Sequence, residues 1–312
     1  MKYHFQDSTI KLFKDKKILV TGASGMIGHA ISPLLRELGA QVFDASLPHV
    51  DLTDKKQAEK ACFGKDMVFH LAGIKGAAGL QSKKPASFLV PLLQMNTNTM
   101  MAAYQAGVER FLYTSSIGVY PSAPIFREDD CWKQPPMESD RFAGWAKRMG
   151  ELQAEAMKIE YGWEKIAIVR PANVFGAYDN FDSDTAMVIP SLIRRVLSGE
   201  NPLVVWGDGT AIRDFIYSKD VAYGMILAMK HAKCMPVNLG SGIGYHIGTI
   251  ARTIIDIAVR GQKDIWFDTT KPLGEAKRVM DITRAKDTLG FEPQYSLLEA
   301  LQETIEWYRS KS

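Results

Sequence analysis

The chain has 312 residues, 46% of them apolar and 23% charged, with a formal net charge of +3. This is globular composition, enough for one large α/β domain or two modest ones, and the weak charge leaves no electrostatic footprint for nucleic acid or an anionic membrane. Cys62, Cys131 and Cys234 are too few and too scattered for a disulfide framework or a zinc site, no apolar run approaches about 18 residues, and Met1 to Lys16 is too polar for a secretory leader; a cytoplasmic protein without a bound metal is expected.

Ile18, Leu19 and Val20 form an unbroken apolar run, the pattern of a central parallel strand covered on both faces. Gly22, Gly25 and Gly28 follow at intervals of three and lead into a helical period from Met26 to Leu38, which Gly39 stops. Gln41-Val-Phe-Asp44 reads as the next strand. A strand, glycine turn and helix in this order bring backbone N–H groups close to a diphosphate at the helix N-terminus, which makes Gly22, Ser24, Gly25, Met26, Ile27 and Gly28 a candidate dinucleotide cradle. Asp44 lies about 20 residues past the glycines, where a carboxylate accepts from both ribose hydroxyls and repels a 2′-phosphate. No arginine stands next to it in the sequence, so NAD is expected over NADP.

A short loop through Val50 and Asp51-Leu52 leads to a polar helix over Lys55 to Cys62, and Asp66 to Leu71 reads as the third strand, ending in Ala72-Gly73. Ile74 to Gly79 is a small-residue loop at the carboxyl end of that strand, the side on which open α/β sheets bind ligands. A long helix is expected from Pro85 to Ala106 with Asn96 in its middle, where a polar residue needs a partner. Arg110 to Thr114 is the next strand, followed by Ser115-Ser116-Ile117-Gly118.

These pieces resemble the extended short-chain dehydrogenase/reductase family, the NAD-dependent sugar-nucleotide epimerases and dehydratases, and within it the GDP-fucose synthase type. The resemblance spans about residues 16–309. It implies a doubly wound parallel α/β sheet of the Rossmann kind over residues 1–173, to which later segments return, and a smaller mixed α/β substrate domain over residues 174–312. Asp51 and Leu52 would lie near the adenine, and Leu71, Ala72, Gly73 and Thr114 beside the cofactor. Lys75 and Asn96 would face the substrate, and His70 would pack as a neutral core histidine. Ser116 would hydrogen-bond the reacting oxygen.

The segment Asp140-Arg-Phe-Ala-Gly-Trp-Ala-Lys147 should hold the family's Tyr-x-x-x-Lys pair, in which the lysine sits one turn from the tyrosine and lowers its pKa. Lys147 is present, doubly assigned to catalysis and to the nicotinamide ribose, but position 143 is Ala143. Because the flanking motif residues survive, a replaced tyrosine is the favoured explanation and a natural loss the other. Ile117-Gly118 lacks the Asp-Glu pair of the dehydratases. Gly118 and Met187 also stand where GDP-fucose synthase has its extra acid/base residues, so neither dehydration nor 3,5-epimerisation is expected.

In the carboxyl half, Arg170-Pro-Ala-Asn-Val-Phe-Gly176 places Asn173 at the substrate's pyrophosphate by the same resemblance. Arg195, Arg213 and Arg278 would add diphosphate and ribose contacts, and Trp206 offers a ring to a nucleobase. The expected partner is a nucleoside-diphosphate sugar and the expected assembly a homodimer. The leading expectation is C4 epimerisation through transient oxidation by NAD, in a chain impaired at position 143. A 4-dehydrogenase or 4-keto reductase is the alternative, and a protein that binds both ligands without turnover is the alternative of another class.

Overall fold

The computed structural model describes residues 2–74, 83–259, 263–271 and 274–311. Lys75 and most of the small-residue loop lie outside the described residues. Six parallel strands make the main sheet: β1 (Lys17–Thr21), β2 (Gln41–Ala45), β3 (Met67–His70), β4 (Arg110–Thr114), β6 (Ile166–Pro171) and β10 (Pro236–Leu239), in the order β10-β6-β4-β3-β1-β2. The chain runs from β1 to β2 on one side and then crosses to β3 on the other. That reversal opens a crevice at the carboxyl ends of β1 and β3.

Alternation along β1 explains its unbroken apolar run. Ile18 and Val20 enter a core with helices α2 (Met26–Glu37) and α7 (Ser218–Lys230), whereas Leu19 faces the opposite core with α3 (Lys55–Cys62), α4 (Pro85–Gln105) and α5 (Arg141–Tyr161). α5 is held against the sheet by charge as well as packing. Glu151, inside α5, takes both Nε and Nη2 of Arg170 on β6, at 2.9 and 2.7 Å, and also accepts from Ser115. Both members of this ion pair are fully buried, so removing one would strand the other's charge.

A second, mixed sheet has the order β11-β9-β13-β5 and is formed by β5 (Ile125–Phe126), β9 (Ile212–Tyr217), β11 (Gly244–His246) and β13 (Lys277–Met280), with β7 (Asn173–Phe175) also paired to β9. A parallel pair, β8 (Leu203–Trp206) and β12 (Ile265–Asp268), lies apart from it. α6 (Val188–Leu197), α8 (Ile247–Ala258) and α10 (Leu297–Arg309) enclose a third apolar core between them and these strands. Among the described residues no helix is long and apolar enough to cross a membrane, and no cluster of His, Cys, Asp or Glu is arranged to hold a metal.

Candidate active site

In the turn after β1 the glycines act through the backbone. Gly22 turns with φ +66°, and a Cβ there would come within 2.8 Å of the Ala72 nitrogen. A Cβ on Gly28 would sit inside the backbone of Ala23, 2.6 Å from its carbonyl carbon, so α2 reaches the turn only because residue 28 has no side chain. Gly25 is the N-cap of α2 and brings no capping side chain, which leaves the first-turn N–H groups and the positive end of the helix dipole directed to the crevice. The Ser24 N–H donates to Ser46 Oγ at 2.9 Å and pins the far side of the turn.

Asp44 stands at the end of β2, where the spacing put it, with Ser32 Oγ donating to it at 2.6 Å. The sequence expectation that no arginine attends it is corrected here. Arg36, eight residues earlier on α2, forms an ion pair with the Asp44 carboxylate. Asp51 folds onto Thr53 through its own carboxylate, and Leu52 is buried in the core with its carbonyl taken by Asn98.

A chain of hydrogen bonds crosses the sheet from this turn to α5. Thr21 Oγ1 accepts from the Leu71 and Ala72 N–H groups, so its own hydrogen goes to His70 Nδ1 at 2.9 Å. That assigns the His70 proton to Nε2, which donates to Asn96 Oδ1 at 3.1 Å. Asn96 Nδ2 donates to the Tyr113 hydroxyl at 3.0 Å, and that hydroxyl donates to the Lys147 carbonyl at 3.1 Å. Burial, aided by the Lys147 charge, pushes the His70 pKa down to about 3, so the ring stays neutral. Asn96 is 1% exposed with both amide atoms engaged in this chain. It is therefore a core strut and not the substrate contact expected from the sequence.

The relay ends beside a cavity of about 290 Å³. Met26, Ile27, Leu71, Gly73, Thr114, Ser116, Ala143, Lys147, Asn173 and Arg278 are among the residues that line it. Lys147 Nζ donates to the Thr114 carbonyl at 2.7 Å, and burial lowers its pKa to about 8. Ser116 Oγ accepts from the Gly118 N–H at 3.0 Å, which aims the hydroxyl from the loop. The Thr114 hydroxyl is buried without a hydrogen-bond partner at the edge of this space. That orphaned hydroxyl, the uncapped helix and the lysine fit a dinucleotide cofactor.

Asn173 Nδ2 donates to the Asp214 carbonyl at 2.8 Å, while Arg278 Nη2 donates to the Asp140 carboxylate at 2.9 Å across the two parts of the molecule. Arg213 lies close by but does not line the cavity. Burial, with the Arg278 charge added, pushes its pKa down to about 10. Two more expected substrate residues are also outside it. Arg195 is bound to Glu200 and the Val204 carbonyl, and Trp206 is 64% exposed on β8 with Lys271 Nζ 6.0 Å from its ring centre; neither lines the cavity. Asp140 was missed as a site residue, because in the sequence it marks only where the helix begins.

Residues 18–240 match the model of the family described as NAD dependent epimerase/dehydratase. The chain is 32% identical over 307 residues to a protein named probable GDP-L-fucose synthase 1 from Oryza sativa subsp. japonica, covering 95% of this chain and 92% of that protein. It is 28% identical to a dTDP-4-dehydro-6-deoxy-D-allose reductase of Streptomyces bikiniensis, covering 94% and 96%. A GDP-L-fucose synthetase from Naegleria fowleri, solved with NADP bound, superposes with a TM-score of 0.83 at 26% identity, over 96% of this chain and 95% of that one.

Proposed function

Because the chain belongs to the NAD dependent epimerase/dehydratase family, we propose that it holds NAD(P) and a nucleoside-diphosphate sugar in one cavity and moves a hydride at C4 of the sugar, with net reduction of a 4-keto group as the first reading. The observation that carries it is that Ser116, Ala143 and Lys147 line one cavity together with Met26 and Ile27, which follow the glycine turn, and with Asn173 and Arg278 from the second sheet. Bound NAD(P)H supplies the hydride. Ser116 polarises the C4 oxygen, Lys147 orients the nicotinamide ribose, and Arg213 and Arg278 meet the diphosphate. The kinship to a 4-keto sugar reductase supports reduction. Gly118 and Met187 bring no proton-transferring group for a further epimerisation at C3 or C5.

C4 epimerisation runs the same transfer in both directions and is the second reading. Asp44 favours it, since a carboxylate at the ribose suits NAD, and an epimerase cycle starts from the oxidised cofactor. We assign NAD as the better-held cofactor on that residue, with Arg36 blunting the preference. Position 143 is read as the slot of a missing tyrosine. The test is to incubate this chain and Ala143→Tyr with NADH or NADPH and guanosine- or thymidine-diphospho-4-keto-6-deoxyhexoses, following cofactor absorbance and product stereochemistry. Ala143→Tyr restores a phenol one helical turn from Lys147 and should be the faster of the two forms. If both forms bind both ligands and neither turns them over, the protein is a binding module and the enzyme reading fails.

A further inference from the structure

Among the described residues that line the cavity, Asp140 is the one carboxylic acid, and no tyrosine, histidine or cysteine accompanies it. Its conformation is unusual for its position. Asp140 is the N-cap of α5, where an aspartate ordinarily accepts from a first-turn N–H, yet it makes no capping bond. Its carboxylate turns instead towards the cavity wall, where Arg278 Nη2 donates at 2.9 Å and Ser139 Oγ at 3.3 Å. It also lies beside Ser116. A Cβ built on Gly118 would be 3.3 and 3.4 Å from Asp140 Cβ and Cγ and 3.4 Å from Ser116 Oγ, so the absence of a side chain at 118 leaves the carboxyl group and the serine facing the same small space. Asp140, Ala143 and Lys147 recur at the spacing of one helix face.

We propose that Asp140 is the general acid and base this chain uses at the sugar's C4 oxygen, in place of the phenol that position 143 lacks. The proposal rests on the C4 hydride-transfer reading. In the reducing direction the carbonyl carbon takes the hydride that bound NAD(P)H supplies, and the C–O π electrons pass to oxygen. The carboxyl proton of Asp140 then forms the O–H bond and leaves a carboxylate, which regains a proton from water; the ketone is reduced and NAD(P)H oxidised. Oxidation of the alcohol is the reverse, with the hydroxyl proton passing to the carboxylate. Ser116 hydrogen-bonds the same oxygen, and Arg278 fixes the carboxylate's orientation from β13. Among the described residues, charged groups near it include Arg213 on β9, which feels the Asp140 charge, and Lys147 two turns along α5.

The experiment is a single-turnover measurement with protein in excess, using NADH and, in parallel, NADPH with the two 4-keto-6-deoxyhexose nucleotides named above, across pH 5 to 9. Asp140→Asn in the present chain should lower the rate about 10²-fold, within the range of general acid–base catalysis, and Asp140→Glu should keep more of it than Asn does. In the Ala143→Tyr background the same Asp140→Asn change should cost less than tenfold, because the phenol then moves the proton. Equal losses in the two backgrounds would show that Asp140 acts only through Arg278 and the fold, and would overturn the proposal. No loss in the present chain, with a rate that inflects near the Lys147 pKa of about 8, would assign the proton to Lys147 and overturn it as well. If Ala143→Tyr turns over a probe and the present chain shows no rate above a protein-free control, the Asp140 proposal fails alone. If Ala143→Tyr turns over neither probe, the C4 reading fails and takes the proposal with it.

Discussion

In the proposed reading the glycine turn after β1 and the arginine pair on β9 and β13 each meet a phosphate, and they are built for it by different means. The turn offers backbone N–H groups that need no partner chosen for them, only the absence of side chains at Gly22 and Gly28. The arginines are long side chains that must be held. Arg278 is held by Asp140, while Arg213 donates Nη1 to the Ile212 carbonyl and feels Arg278 as a repulsive neighbour. Backbone recognition is therefore rigid before any ligand arrives, whereas side-chain recognition begins with an ion pair that the ligand must exchange or share.

The largest effect expected from breaking this contrast is at Gly28. Gly28→Val adds bulk where even a Cβ meets Ala23, so the fold should lose roughly 2–4 kcal/mol by urea denaturation, and NAD(P) binding should fall with it. Arg213→Ala should cost about 1.5–3 kcal/mol in sugar-nucleotide binding, the range for charge-assisted hydrogen bonds, and leave NAD(P) affinity nearly intact in a titration. A loss confined to NAD(P) would mean that the two ends have been assigned in reverse.

His70 links the strand before the glycine turn to α5 through Asn96 and Tyr113, and pH reads its contribution. Its folded pKa, about 3, lies below the ordinary 6.5, so the unfolded chain takes a proton that the folded chain refuses. Stability from this group is then present above pH 6.5 and is lost as pH falls from there towards 3. Between pH 7 and pH 5 the chain should lose about 2 kcal/mol more than His70→Asn does, measured by denaturant midpoints at each pH. Parallel pH curves for the two proteins would contradict a neutral His70. The smallest effect is at the exposed Arg36–Asp44 pair, where Arg36→Ala should sharpen the preference for NAD over NADP by about 0.5–1 kcal/mol. A shift towards NADP would show that Arg36 does not attend the 2′ position.

What the sequence disclosed follows the same division. The strand, glycine turn, helix and Asp44 were legible because each depends on local spacing, and the bounds of β1, α2 and α4 came within a residue or two of their periodicity. The partners of side chains were not. Arg36 is eight positions from Asp44 and meets it only because α2 packs back along β2. Asn96 was correctly read as needing a partner, but that the partners are His70 and Tyr113, rather than a ligand, depends on β3 and β4 lying side by side. Arg195 carried the right charge for a diphosphate, yet Glu200, five residues on, already satisfies it. Asp140 had no motif to mark it, since its meaning comes from Arg278, 138 residues later in the chain.

The central claim, hydride transfer at the sugar's C4, is tested most directly by isotope. Ala143→Tyr is supplied with NADH, or in parallel NADPH, carrying deuterium at the transferring position of the nicotinamide and with a nucleoside-diphospho-4-keto-6-deoxyhexose, and the product is read by NMR. One deuterium at C4 of the sugar for each reduced cofactor consumed is the predicted result. Deuterium at another carbon, or none transferred while both ligands remain bound, would contradict it.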